Sequence, residues 1–133
     1  MSAKAVAEKL LVKPGATVWL SSPSGLELIR PLPPEARAVA AIDEAGVAVL
    51  FAGSVAGLER LLGQNGDRLD KPGILWIAYP KGGKSDLKRD TIPPQLARRN
   101  MRPVGQVAID DVWSALRFRS LDPGEPPFTG GGR

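Results

Sequence analysis

The sequence predicts a three-layer α/β domain: a mostly parallel sheet with helices on both faces, closing in a C-terminal antiparallel hairpin. Three observations carry this. Residues Ile74 to Pro80 (Ile-Leu-Trp-Ile-Ala-Tyr-Pro) are apolar without alternation, the pattern of a short strand buried on both faces in a parallel sheet covered by helices. Strand-like and helix-like segments alternate from Ala16 to Asn100, the order of successive βα units. The last two strand-like segments, 104–109 and 112–119, lie too close together for a crossover helix and therefore form a hairpin.

In chain order, residues 3–12 place alanine, valine and leucine at helical spacing, with Lys4, Glu8 and Lys9 between them, and predict a short amphipathic helix ended by Lys13-Pro14-Gly15. Residues 16–20 (Ala-Thr-Val-Trp-Leu) are a strand. The loop Ser21-Ser22-Pro23-Ser24-Gly25 opens a helix over about 24–30, with Ser22 or Ser24 as its cap, and Pro31, Pro33 and Pro34 stop it. Residues 36–42 are a weak strand and 47–52 a clear one. The four residues between them are too few for a parallel crossover, so the two either pair antiparallel or are not neighbours. Ser54 caps a helix running to about Leu62, with Val55, Leu58, Leu61 and Leu62 on one face. Pro72-Gly73 turns into the central strand, and Pro93-Pro94 suits the first turn of a helix over 92–100. The domain thus covers 1–119, and the proline- and glycine-rich 120–133 reads as a disordered tail.

Composition narrows the chemistry. The 133 residues include no cysteine and no histidine, which removes disulfides, thiol nucleophiles, the usual general base and ordinary zinc ligands. No metal site is expected. The start has charges spaced through it and no apolar stretch of signal-peptide type. No run approaches the roughly 18 apolar residues of a membrane span. A cytoplasmic location and no membrane partner are the expectation. The net charge is +4, yet residues 81–102 alone hold seven cations against two acids. One segment therefore carries the basic excess, which predicts a local anion-attracting surface. Non-specific nucleic-acid binding is one alternative for that segment. The 5% aromatic content and the lack of a stacking motif argue against it and for a solvated helix face.

The strand–helix order, with Lys71-Pro72-Gly73 opening the central strand, resembles the second half of a class I S-adenosylmethionine-dependent methyltransferase domain, a Rossmann-like fold. A closer resemblance is to an uncharacterised family of small bacterial proteins. It rests on Leu10 to Gly15 (Leu-x-x-Lys-Pro-Gly), Trp76 to Lys81, Asp86 to Asp90 (Asp-x-x-Arg-Asp) and Val107 to Arg117 (Val-x-x-Asp-Asp-x-Trp-Ser-x-Leu-Arg). It spans roughly residues 5–119, and implies a fold but no assigned activity. The chain departs from methyltransferases where their first strand leads into alternating glycines that let backbone approach the cofactor. Here that loop holds a proline and one glycine, Gly25. Only Asp43 or Glu44 stands in for the acidic residue that would hold the cofactor ribose. No cofactor is therefore expected, with S-adenosylmethionine as the alternative, and the chain reads as a binding domain more than an enzyme.

Ligands of open α/β sheets bind outside the carboxyl ends of the strands. That rule gathers the candidate ligand-binding residues Ser22, Ser24, Gly25, Tyr79, Lys81, Gly82, Gly83, Lys84, Asp110, Asp111 and Trp113. Serine hydroxyls and free N–H groups at a helix start suit an anion, and lysines beside flanking glycines complement it. The alternative is a loop whose lysines only keep it solvated; Pro80 to Lys84 lacks the spacing and terminal Ser or Thr of a Walker loop. Asp110 and Asp111 suit a base or a divalent ion. As adjacent residues at a strand end they point apart, which favours a hairpin turn with one carboxylate pairing Lys81 or Arg117. Trp19, Trp76 and Trp113 read as core, with Trp113 the best placed to stack on a ligand. The function expected is a non-catalytic, methyltransferase-like domain binding a small anion or a protein partner. A minimal methyltransferase is the alternative. A homodimer would cover the edge strand of the hairpin, unless Arg117 and Arg119 protect it by charge.

Overall fold

The structure, a computed structural model, describes residues 5–22 and 24–126. Six strands form one sheet in the order β2-β1-β3-β4-β6-β5. They are β1 (Thr17–Leu20), β2 (Arg37–Ala38), β3 (Val47–Phe51), β4 (Ile74–Pro80), β5 (Met101–Ala108) and β6 (Trp113–Ser120). The first four are parallel, β6 runs antiparallel to β4, and β5 antiparallel to β6.

Alternation along β3 and β4 divides the core into two layers. Ala48, Leu50, Leu75, Ile77 and Tyr79 face one side, where Leu58 and Leu62 of helix α3 (Val55–Gln64) and Ile92 and Leu96 of helix α4 (Ile92–Ala97) cover them. Val47, Val49, Trp76 and Ala78 face the other, against Ala7 of helix α1 (Val6–Lys9) and Ile29 of helix α2 (Gly25–Ile29). The sheet therefore needs apolar residues at every position of β4, as its sequence shows. Burying a side chain such as Ile77, with 0% exposure, stabilises by about 1.5–3 kcal/mol.

Several elements are shorter than their periodicity predicts. Helix α1 stops because Leu11 turns left-handed (φ 68°). The N–H groups of Leu11 and Val12 then donate to the carbonyls of Glu8 and Ala7 (3.0 and 2.9 Å), the double bond of a Schellman end. Helix α2 keeps five residues, and no serine side chain caps it. The weak strand over 36–42 is only Arg37–Ala38, both exposed, in parallel register with Thr17 and Val18. It does not adjoin β3. Both flank β1, which resolves the short connection between them.

In the hairpin the edge strand is β5. Arg117 and Arg119 lie on the inner strand β6 and do not charge that edge. Pro103 and a register shift between Pro103 and Gly105 interrupt it instead, which hinders pairing with another chain. Residues 121–126 fold back on the hairpin. Leu121 N donates to Asn100 O (2.9 Å), and the Glu125 carboxylate accepts Arg102 Nη1 (2.7 Å), Arg119 Nη1 and Nη2 (3.0 and 2.9 Å) and Asp122 N (2.8 Å). The Arg119 hydrogen bonds first, then the Asp122 N–H and Arg102, hold the Glu125 carboxyl down at about 2. Residues 127–133 of the expected tail lie outside the described residues. No helix among the described residues is long and apolar enough to cross a membrane.

Candidate functional site

The carboxyl ends of β1, β3 and β4 share one edge with the β5–β6 turn, because Pro80 pairs with Trp113 and Ala108 with Ser114. The candidate residues do not all meet there. At the β1 end, Ser21 Oγ accepts Phe51 N (2.7 Å) and ties the first loop to β3. Ser22 and Ser24 bond each other (2.9 Å between hydroxyl oxygens). Gly25 is buried against the Phe51 ring: a Cβ there would lie 2.5 Å from Phe51 Cε1. Phe51 in turn meets Trp113 edge to face, with centroids 5.3 Å apart and planes at 83°. Protein side chains thus fill the rim beside Gly25, and Trp113 is engaged by Phe51.

The start of α3 is also occupied, by the chain itself. Ser54 Oγ accepts Gly57 N (3.0 Å), and Asp86 Oδ1 accepts Val55 N (2.9 Å). A carboxylate from the loop after β4 therefore takes the place that an external anion would seek at a helix start. Ser85 Oγ donates to Gly53 O (2.6 Å), and Thr91 Oγ1 accepts Lys88 N (2.8 Å) while donating to Asp86 O (3.0 Å). Residues 85–91 are fixed by these bonds.

Between that loop and the hairpin lies a cavity of about 550 Å³ on the α3/α4 side of the sheet. Tyr79, Lys81, Gly82, Gly83, Lys88, Arg89, Gln106 and Ser114 line it, with Pro80, Val107 and Ala108. Gly82 and Gly83 hold φ of +75° and +71°, a conformation that side chains oppose, and so let the chain turn over the cavity. Tyr79 and Ser114 are each 5% exposed. Gln106 links the parts. Its Nε2 donates to Tyr79 Oη (3.1 Å) and reaches Ser114 Oγ (3.4 Å), while its Oε1 accepts Arg89 Nη1 (3.1 Å). Lys81, Lys88 and Arg89 supply three cations, and among the described residues no carboxylate lines the wall. Such a surface attracts anions.

Of the predicted residues, Tyr79, Lys81, Gly82 and Gly83 line this cavity. Lys84 is exposed, and it lies outside the lining, as do Ser22, Ser24, Gly25, Asp110, Asp111 and Trp113. The expected ion pair from Lys81 to Asp110 or Asp111 is absent among the described residues. Nor does a carboxylate pair with Arg117, whose Nε is buried without a hydrogen-bond partner. Lys81 meets the turn through its backbone, with Lys81 N donating to Val112 O (2.8 Å). Asp110 Oδ1 accepts Val112 N and Trp113 N (2.8 and 2.7 Å), so its carboxylate holds the turn. Among the described residues no cluster of three acidic groups converges to hold a metal ion. Sequence reasoning missed Lys88, Arg89 and Gln106 as cavity residues. Lys88 and Arg89 belong to the basic 81–102 segment, and Arg89 also stands inside the Asp-x-x-Arg-Asp motif. Gln106 had no signal beyond being polar in a strand.

No family model matches the chain, and no curated protein matches it. Solved structures do. One is a protein in the NADB-Rossmann superfamily from Streptococcus agalactiae, at TM-score 0.58 and 10% identity, covering 97% of this chain and 72% of that one. Another is an uncharacterised protein from Listeria monocytogenes serotype 4b, at TM-score 0.56 and 10% identity, covering 98% and 71%. A third is a candidate tRNA (m1A22) methyltransferase from Streptococcus pneumoniae, at TM-score 0.56 and 14% identity, covering 97% and 73%. At such identities the shared property is the fold. The chain is a Rossmann-like, methyltransferase-like α/β domain whose sheet is mostly parallel and ends in an antiparallel hairpin.

Proposed function

We propose that this domain binds a small anionic ligand in the cavity beneath the 81–89 loop and does so without catalysing a reaction on it. The carrying observation is the lining: Lys81, Lys88 and Arg89 with no carboxylate among them, over buried Tyr79 and Ser114. An anion there exchanges water for positioned donors, and the cations lose mutual repulsion. The rim offers little to a catalyst. The chain has no histidine or cysteine, and Asp110 is committed to the turn.

A second reading is a minimal S-adenosylmethionine-dependent methyltransferase, favoured by the candidate tRNA methyltransferase among the structural neighbours. The Gly25–Phe51 contact weighs against it, since backbone at that loop is covered by a ring where a cofactor would approach. A thermal-shift panel of nucleotides, acyl phosphates and sulfate on wild type and Lys81→Met separates the readings, alongside calorimetric titration with S-adenosylmethionine. Anion-dependent stabilisation that disappears in Lys81→Met supports the first. Micromolar binding of S-adenosylmethionine supports the second. If neither appears, the surface serves a protein partner. Affinity for nucleic acid that falls steeply with salt would favour the non-specific alternative.

A further inference from the structure

We infer that the ligand is a phosphomonoester with a small, non-aromatic body, with the phosphate held by Arg89 and the Gly82–Gly83 turn. This rests on the anion-binding reading and specifies its chemistry. Three features of the cavity select the class.

The first is charge. Three cations and no acid line the wall, a balance that suits a dianion better than a monocarboxylate. Arg89 is already aimed: one guanidinium nitrogen is fixed on Gln106 Oε1 at 3.1 Å. Its remaining donors keep the fork that matches two phosphate oxygens. The left-handed glycines Gly82 and Gly83 put main chain on the same wall, and the space beside their Cα atoms is open.

The second is size. A cavity of about 550 Å³ is in the range of organic-ligand sites, roughly 300–1,000 Å³. A bare phosphate would leave most of it to water. Ala108, paired with Ser114, completes the lining together with Pro80 and Val107, the surface an organic body would cover.

The third is what the wall lacks. Among the described residues Tyr79 is the one aromatic residue of the wall and is 5% exposed, so no ring face there is open for a base to stack on. Among the described residues no carboxylate lines the wall to accept from a ribose diol. Nucleotides are therefore disfavoured against sugar or polyol phosphates.

Gln106 is the positioning residue. It holds Arg89 through its oxygen and the buried Tyr79 hydroxyl through its nitrogen. Gln106→Glu keeps the acceptor for Arg89 but adds a negative charge beside the phosphate seat. The test is calorimetric titration of the full chain with glucose 6-phosphate, glycerol 3-phosphate, AMP, inorganic phosphate and citrate, at fixed salt. It is run on wild type, Arg89→Met and Gln106→Glu, with melting temperatures recorded for each. The expected order is sugar and glycerol phosphates tighter than inorganic phosphate, and both tighter than AMP. Removing a charge-assisted contact in Arg89→Met should weaken the preferred phosphate roughly tenfold to a hundredfold. Gln106→Glu should weaken it at least tenfold while its melting temperature does not fall, a split that a merely structural glutamine would not give. Equal affinity for inorganic phosphate and every ester, or a preference for AMP or citrate, overturns the class while leaving the anion site standing. No binding of any probe overturns both.

Discussion

Replacing Gly25 with alanine should destabilise this protein, and the sign should reverse once Phe51 is trimmed. Gly25 opens α2, where alanine would ordinarily gain about 0.5–1 kcal/mol from helix propensity and a less flexible unfolded chain. Its Cβ, however, would stand 2.5, 2.9 and 3.0 Å from Phe51 Cε1, Cζ and Cδ1. The ring cannot retreat freely, because it is seated edge to face on Trp113 at 5.3 Å, a contact worth about 0.5–1.5 kcal/mol. Overpacking of this kind costs about 1–3 kcal/mol. The net loss is therefore about 0–2.5 kcal/mol, centred on about 1 kcal/mol, a fall of a few degrees in Tm for a domain of this size. In a Phe51→Leu background the obstructing atoms are gone, and Gly25→Ala should be neutral or stabilising. Urea unfolding of the two single variants and the double variant, followed by tryptophan fluorescence, measures this coupling. Equal destabilisation by Gly25→Ala in both backgrounds would refute the claim that Phe51 closes the rim at this loop.

Three further expectations follow from the same contacts. Trp76→Phe removes the buried bond from Trp76 Nε1 to Leu10 O (2.9 Å), which pins the end of α1 to the centre of the sheet. Leaving that carbonyl unpaired should cost about 1–3 kcal/mol in denaturant unfolding. Asp110→Ala, which loses two N–H acceptances, should cost about 1–2 kcal/mol, whereas exposed Asp111→Ala should change stability by less than about 0.5 kcal/mol. Glu125 has a carboxyl lowered to about 2 in the fold from an ordinary 4.5. Its stabilising contribution is therefore present above about 4.5 and lost as pH falls toward about 2. Glu125→Gln should remove that part of the acid sensitivity, read as a smaller change in Tm between pH 5 and pH 2.5.

Much of the frame was legible because it depends on local pattern. The unbroken apolar run of β4 announced a strand covered on both faces, and the short gap after Ile109 allowed only a hairpin. Ser54 was readable as a cap because its partner, Gly57, lies three residues away. The site was less legible because its contacts are long-range. Asp86 is committed to Val55 N across 31 positions, and nothing in either segment marks that bond. It fills the start of α3 with a carboxylate of the chain's own. Arg89 and Gln106 meet only because the loop after β4 lies over the edge strand. That position depends on the order β4-β6-β5, which hairpin spacing alone does not specify. Lys81 and Asp110 share an edge as expected, yet the Lys81 N–H goes to Val112 O and the two charges do not meet. Hydrogen bonding within a tight turn claimed the carboxylate first.

The central claim is that an anion enters beneath the 81–89 loop and not at the Ser21–Gly25 rim. Amide chemical-shift mapping during titration with glucose 6-phosphate tests it most directly. The account predicts that the amides of Gly82, Gly83, Arg89 and Gln106 shift in a saturable way while those of Ser22, Ser24 and Gly25 stay fixed. Saturable shifts centred on Ser22, Ser24 and Gly25, with the 81–89 loop silent, would contradict it.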